Sequence, residues 1–573
     1  MLRRLLTALS AGLALLAAAP AQALTPCRDA TPAEALIYTL PQAMPGVVSP
    51  RDGTCFIGNL RVTATDGVQL TANVFLPPGA ASGARFPAVL HISSWALTDY
   101  FEYLGQQHKL ARNGYVAMAY TTRGFWGSGG VIGVAGPQDV ADVSSAIDFL
   151  IAQTPTDPTR IGSAGISYGA GLSLLGAAQD NRLRAIAAMS GWGALADQLY
   201  GNGVPNVTWA TVLESSAYLT GRVDPDLSAR VAQVRDPDTS QAAIQSIIAW
   251  SAVRSPSSYV DALNRNGTAV FISKNWQDDM FSPNSSMALF ARLSGPKRLL
   301  LQPGIHTSAE IGGAMFGWDN AVVDDAIRWF DRWLKFQPNG IDTGPKVVLK
   351  PKFGNQTETL SNWPAPELRS LNYALSPRGA LRWELGCLCW KGLTASMGSG
   401  TPAAAASDTI DNLLDTTATT GVLPILTVTA ETAGVPVVNL MDSILRGQGI
   451  RFEGPTLAQP LAIRGIPSVK LKVKPSQARG LLVGYLYDVN ALGVGTLVTH
   501  GARAVHWATP GATLDLSFDL NATAYDVPAG HRLVLVFDTA DSLYGSPVRA
   551  FEGFSMSLLT GAGTGSALSV PIR

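Results

Sequence analysis

The chain has 573 residues, 47% of them hydrophobic and 15% charged, a globular composition too long for one ordinary core. Lys plus Arg and Asp plus Glu both number 42, and no dense basic run upsets that balance. Neither nucleic acid nor an anionic membrane surface is therefore an expected partner.

Residues 1–23 read as a secretory signal peptide. Arg3 and Arg4 precede the apolar run LLTALSAGLALLAAA, and AQA at 21–23 is a small-residue cleavage site. The chain is expected to be exported, periplasmic or secreted, with no membrane association after the signal is removed. Export permits disulfides. Cys27 paired with Cys55 would pin the mature N-terminus to the first strand region, while Cys387 and Cys389 could bridge locally, pair elsewhere or stay reduced. No His lies near either group at ligand spacing, so no metal is expected, and no cofactor is called for.

RVTA and QLTANVFL flank TDG, a hairpin with Asp66-Gly67 at its turn. Short apolar runs follow: PAVLHIS (87–93), YVAMAY (115–120), RIGSAG (160–165), AIAAMS (185–190), AVFIS (269–273) and RLLLQPG (298–304). Between them, 138–153 and 321–336 carry apolar stripes at helical spacing (Val140, Val143, Ile147 and Leu150; Val323, Ile327, Phe330 and Leu334). Apolar strands alternating with helices predict an α/β fold whose mostly parallel sheet is covered on both faces. Its first part spans 24–190 and its second 267–345. From 191 to 266 the strand rhythm stops, and the segment reads as a helical cap. From 346 to 573, alternating runs such as KVVLKPK, SVKLKVK, LLVGYLYDV and HRLVLVFD predict an all-β sandwich, with ASMGSGTPAAAAS (395–407) as a small-residue loop.

The chemistry centres on GISYGA at 165–170. A strand precedes this Gly-x-Ser-x-Gly and a helix candidate follows, the context of a nucleophile elbow, so Ser167 is the candidate nucleophile. A base must follow in the order Ser, acid, His, and His306 in LLLQPGIHTS is the one histidine after Ser167 within the α/β region. His500, His506 and His531 fall in the β domain, His108 lies in a polar helix-like segment, and His91 ends a strand too early in the chain. The acid belongs after AVFIS, where Asp278 and Asp279 are adjacent. Both cannot point at His306, and Asp278 is favoured. An oxyanion hole needs two donors. One is the Tyr168 backbone N–H. The other is expected near Trp95, from its side chain or the Ser94–Trp95 backbone. Trp192, just after AIAAMS, is a candidate wall of an apolar acyl pocket, or core packing.

Taken together, these stretches resemble the X-prolyl dipeptidyl-peptidase and cocaine-esterase-like (CocE/NonD) acyl hydrolases. TDGVQLTANVFLP is similar to that family's opening hairpin and YTTRGFWGSGG to its glycine-rich turn. NWQDD resembles its Trp-x-Asp acid loop, which supports Asp278 over Asp279. PGIHTS is similar to its histidine loop, and VPAGHRLVLVFDTAD to a stretch of its C-terminal jelly roll. The resemblance implies an α/β-hydrolase core, a helical cap and a C-terminal jelly-roll sandwich. It also implies acyl transfer through Ser167, His306 and Asp278 on a small ester, amide or short peptide. One departure stands out: esterase relatives carry a Pro-Tyr pair whose Tyr hydroxyl serves the oxyanion, where this chain has Ser94-Trp95. An indole N–H, Tyr100 or a backbone N–H could replace it. An acyl esterase is the favoured reading and an X-prolyl dipeptidyl-peptidase the alternative. The peptidase would need a carboxylate for a free α-ammonium, for which Glu214 is the candidate. An inactive hydrolase fold used for binding is a third reading, against which the intact Ser, Asp and His argue.

Overall fold

The computed structural model describes residues 27–33, 46–49, 51–385, 389–402, 404–412, 416–421, 430–431, 434–549 and 552–573. Residues 1–23, expected to be a signal peptide, and Cys387 lie outside the described residues, as does the Cys389 side chain. The other cysteine expectation is met by a Cys27–Cys55 disulfide.

The α/β layer is a sheet of β1 (Arg28–Asp29), β2 (Val47–Val48), β3 (Cys55–Thr63), β4 (Gln69–Leu76), β5 (Phe86–Ile92), β6 (Val116–Tyr120), β7 (Thr156–Ile166), β8 (Leu183–Met189), β9 (Ala269–Asn275), β10 (Lys297–Gln302), β11 (Val347–Leu349) and β12 (Glu358–Leu360). The spatial order is β1-β2-β3-β4-β6-β5-β7-β8-β9-β10-β11-β12. From β6 to β11 every neighbouring pair is parallel. The β3–β4 hairpin turns at Asp66-Gly67 as expected, with Thr63 opposite Gln69. Order reverses around β5, which lies between β6 and β7, and loops leaving the carboxyl ends of β5 and β7 open a crevice there.

Helices cover both faces. Helix α1 (Leu104–Arg112) packs with the C-terminal core helix (Ala321–Leu334) on one side. On the other lie Pro137–Gln153 and Tyr168–Gln179. Their buried stripes are the ones the sequence spacing marks, including Val140, Val143, Ile147 and Leu150. Between β8 and β9 the chain forms successive helices, among them Val207–Thr220, Pro225–Arg235 and Gln241–Ala252, with a small core of their own. Among the described residues no helix is long and apolar enough to cross a membrane.

The C-terminal strands, from Arg369–Ser376 to Ala567–Ile572, build a mostly antiparallel β domain around a separate core. Two boundaries differ from expectation. KVVLKPK, read as the first sandwich strand, instead extends the α/β sheet, since β11 runs parallel to β10. A three-residue strand is too short for its alternation to say which sheet it joins. The small-residue segment 395–407 is also not all loop. Ala395–Gly398 pairs with Arg369–Ser376, and Ala406–Asp411 pairs with Ser555–Thr560. Ladder partners override the poor strand propensity of Ala, Ser and Gly there.

Candidate active site

Ser167 joins β7 to the helix Tyr168–Gln179. Its φ of 54° and ψ of −114° lie where an L residue sits only if its surroundings hold it. The Ser167 N–H donates to Met189 O in β8 at 2.8 Å. Space also demands the flanking glycines. A Cβ on Gly165 would lie 2.2 Å from the Gly169 backbone, and one on Gly169 would lie 2.0 Å from Ile92 O at the end of β5. The tight turn leaves the Ser167 side chain at the carboxyl edge of the sheet, beside the first turn of a helix.

His306 follows β10 and Asp278 follows β9, and the two loops are stitched together. Trp276 N–H donates to Gln302 O (2.9 Å), Gln277 N–H to Gly304 O (3.0 Å) and Gly304 N–H to Gln277 Oε1 (3.0 Å). His306 Nδ1 lies 3.0 Å from Asp278 Oδ2, and His306 Nε2 lies 2.8 Å from Ser167 Oγ. With a carboxylate at Nδ1, that nitrogen carries the proton and Nε2 accepts from the hydroxyl. Asp279 faces the other way, with Oδ1 at 3.4 Å from Nε2 of His500 in the β domain.

Sequence reasoning missed a third partner. Lys274, near the end of β9, is fully buried. Its Nζ donates to Asp278 Oδ2 (2.6 Å), Phe281 O (2.7 Å) and Gly191 O (3.2 Å). Burial pushes the Asp278 carboxyl up, but the charges of His306 and Lys274 outweigh it and hold the group down at about 2. The available signal was a lysine closing an otherwise apolar strand, a charge that must find a partner if buried.

Two of the side chains expected as oxyanion donors are engaged elsewhere. Trp95 lines the same cavity as Ser167 and Tyr168. Its indole N–H, however, donates to Leu213 O (3.0 Å) and Ser216 Oγ (3.1 Å) on the overlying helix Val207–Thr220. Tyr100 is also engaged elsewhere, its hydroxyl donating to Asn59 Oδ1 at 2.9 Å. The donors left are the backbone N–H groups of Tyr168 and Trp95, which meet no protein acceptor among the described residues. Trp95→Phe is therefore expected to keep kcat on an activated ester within about threefold. Losing an oxyanion donor would cost roughly 10²–10³, and a drop of that size in steady-state assays would return the role to the indole.

A buried carboxyl braces this loop. Glu102 Oε2 accepts the Ser94 N–H (2.7 Å), and Glu102 Oε1 contacts Ser94 Oγ, which also lies 2.6 Å from Ile166 O beside Ser167. Ser94 has one hydroxyl hydrogen for two oxygens, so a protonated Glu102 satisfies every atom. Burial agrees, pushing Glu102 up to about 7 against its hydrogen bonds from Ser94. Asp139, which accepts from the Tyr168 hydroxyl at 3.0 Å, is likewise pushed up to about 7 by burial. Raised carboxyls cost nothing below the unfolded value near 4. As pH rises, the unfolded chain ionises first, and Glu102 alone removes roughly 3 kcal/mol by pH 8. Glu102→Gln should therefore lose less thermal stability than wild type between pH 5 and pH 8, measured by scanning fluorimetry. Equal losses would contradict the buried neutral acid.

Two family models match the chain in sequence order. One describes the X-Pro dipeptidyl-peptidase (S15 family), over residues 66–308, and the other its C-terminal non-catalytic domain, over 339–554. Together the two models span most of the chain, which belongs to the X-Pro dipeptidyl-peptidase (S15) family of serine hydrolases. A Mycobacterium bovis protein named "Putative serine esterase Mb1866c" is 24% identical, with the match covering 89% of this chain and 94% of that one. A CocE/NonD family hydrolase from Staphylococcus aureus superposes with a TM-score of 0.67 at 14% identity, over 91% of this chain and 94% of its own. An α-amino acid ester hydrolase gives 0.64 at 15% identity, over 91% and 97%. At those identities the likeness of structure shows the fold.

In this S15 chain the space beside Ser167 is a narrow cavity of about 100 Å³ under the cap helices. Trp95, Trp192, Trp209 and Trp250 line it, together with Met280 and Phe281 directly after the acid loop. Trp192 both lines the cavity and packs in the core: it is 2% exposed, and its indole donates to Arg254 O at 2.9 Å. Glu214 lines it too, but its carboxylate is bound by Arg235 at 2.6 Å. The remaining histidines lie outside the site. His91 is wholly buried, with Nδ1 at 3.3 Å from Met118 O, and burial pushes it down to about 3. His108 pairs with Asp52 (2.9 Å) and His531 with Asp488 (2.7 Å), while His506 Nε2 lies 2.7 Å from Gly203 O.

Proposed function

We propose that the chain is an exported serine esterase that hydrolyses carboxylic esters whose acyl chain lies in the aromatic-lined cavity. Ser167 Oγ attacks the carbonyl carbon as its proton passes to His306 Nε2. Asp278 holds the Nδ1–H and stabilises the imidazolium, while the Tyr168 and Trp95 N–H groups receive the oxyanion. Collapse of the tetrahedral intermediate expels the alcohol, which takes the proton from His306. Water, deprotonated by His306, then attacks the acyl-enzyme and releases the acid.

The observation that carries this reading over the peptidase is the character of the cavity. An X-prolyl dipeptidyl-peptidase needs a free anion for the substrate α-ammonium, and Glu214, the carboxylate lining this space, is already neutralised by Arg235. Export is supported by the Cys27–Cys55 disulfide, a bond that persists in oxidising compartments. The test compares kcat/KM on p-nitrophenyl esters with that on Ala-Pro-p-nitroanilide. Esters should be favoured by at least about 100-fold. Faster cleavage of the anilide would overturn the esterase reading in favour of the peptidase.

A further inference from the structure

The cap side of the cavity carries hydrogen-bonding capacity that the protein does not use. Trp209 Nε1 and Arg230 Nε are both shielded from solvent without a hydrogen-bond partner, and both residues line the cavity with Ser167. The two carboxamides there are satisfied internally. Asn206 accepts from Trp209 N–H and donates to Gln198 O. Gln198 donates to Ser285 Oγ and accepts from Ser282 N–H. What is left over is therefore donor capacity.

Charge runs in the same direction. Arg230 has no ion-pair partner among the described residues, its guanidinium lying 5.3 Å from the centre of the Trp250 ring. Arg254 stacks on that ring at 3.9 Å, and Glu214 is cancelled by Arg235. An arginine stays charged at any working pH, and an unpaired buried donor is costly until an acceptor reaches it.

We infer that the acyl group this site takes has an apolar body and a carboxylate at its far end, held by Arg230 with help from Trp209. This rests on the esterase reading above and adds the substrate class. It requires small adjustments of the cap helices Val207–Thr220 and Pro225–Arg235, which carry Trp209 and Arg230, so that both donors meet the carboxylate oxygens.

The test uses the full chain and two matched sets of p-nitrophenyl esters, the half-esters of adipic, suberic and sebacic acid against hexanoate, octanoate and decanoate. At one or more lengths the ω-carboxylate ester should show at least about tenfold higher kcat/KM. Arg230→Met should bring that ratio near unity, Arg230→Lys should keep part of it, and Trp209→Phe should reduce it. Preference for the methyl-ended ester at every length overturns the proposal while leaving the hydrolase in place. So does a ratio that Arg230→Met and Trp209→Phe leave unchanged. Failure to turn over any ester, together with no labelling of Ser167 by a fluorophosphonate, removes the reading beneath the proposal and the proposal with it.

Discussion

Ser167→Ala is expected to lower kcat/KM on any ester substrate by roughly 10⁶-fold, the scale of a lost serine nucleophile. The elbow makes the experiment clean. Alanine keeps the Cβ that already fits at φ 54°, and it keeps the N–H that bonds Met189 O. Only Oγ is removed, so the melting temperature should stay close to wild type. A variant with normal stability and activity within about tenfold would mean that ester cleavage does not proceed through this side chain.

Asp278→Asn should cost roughly 10⁴-fold in kcat, because an amide no longer fixes the Nδ1–H tautomer or supports an imidazolium. It should also destabilise the protein. Lys274 would be left buried beside a neutral group, and an uncompensated buried charge costs about 3–5 kcal/mol. Activity is therefore to be read well below the variant's own melting temperature. The adjacent Asp279→Asn should leave kcat within about threefold, since Asp279 faces His500 and not His306. The reverse pattern in the two variants would move the acid by one residue. The low position of Asp278, at about 2, fixes the sign of its pH effect. Its contribution to stability is present above the unfolded value near 4 and is lost as the pH falls towards 2.

The elbow was legible because its requirements are local. Two glycines four residues apart, with an apolar strand before and a helix after, leave little else for Ser167 to be. His306 was legible by elimination, given six histidines and a fixed order along the chain. Choosing Asp278 over Asp279 leaned on the resemblance, because its physical cause is long-range. Residues 276–277 bond to 302–304, and that stitching decides which carboxylate turns inward. Lys274 and Glu102 were invisible for a similar reason. A lysine at a strand end and a glutamate in DYFEYL read as solvated until the fold buries them beside Asp278 and Ser94. Trp95 was placed at the cavity with its indole and its backbone both open as donors, since only the packed cap shows that Leu213 O claims the indole. The cap itself announced little beyond a break in strand rhythm, yet it supplies most of the cavity wall. β11 was assigned to the wrong sheet, because its pairing with β10 across more than forty residues leaves no mark in a three-residue run.

The central claim is that Ser167 is a nucleophile activated by His306. Treating the folded wild-type protein with a fluorophosphonate and mapping the adduct by peptide mass spectrometry tests it most directly. A single stoichiometric adduct on Ser167, much slowed in His306→Ala, is the predicted result. An unlabelled Ser167, or an adduct on another serine with Ser167 untouched, would contradict it.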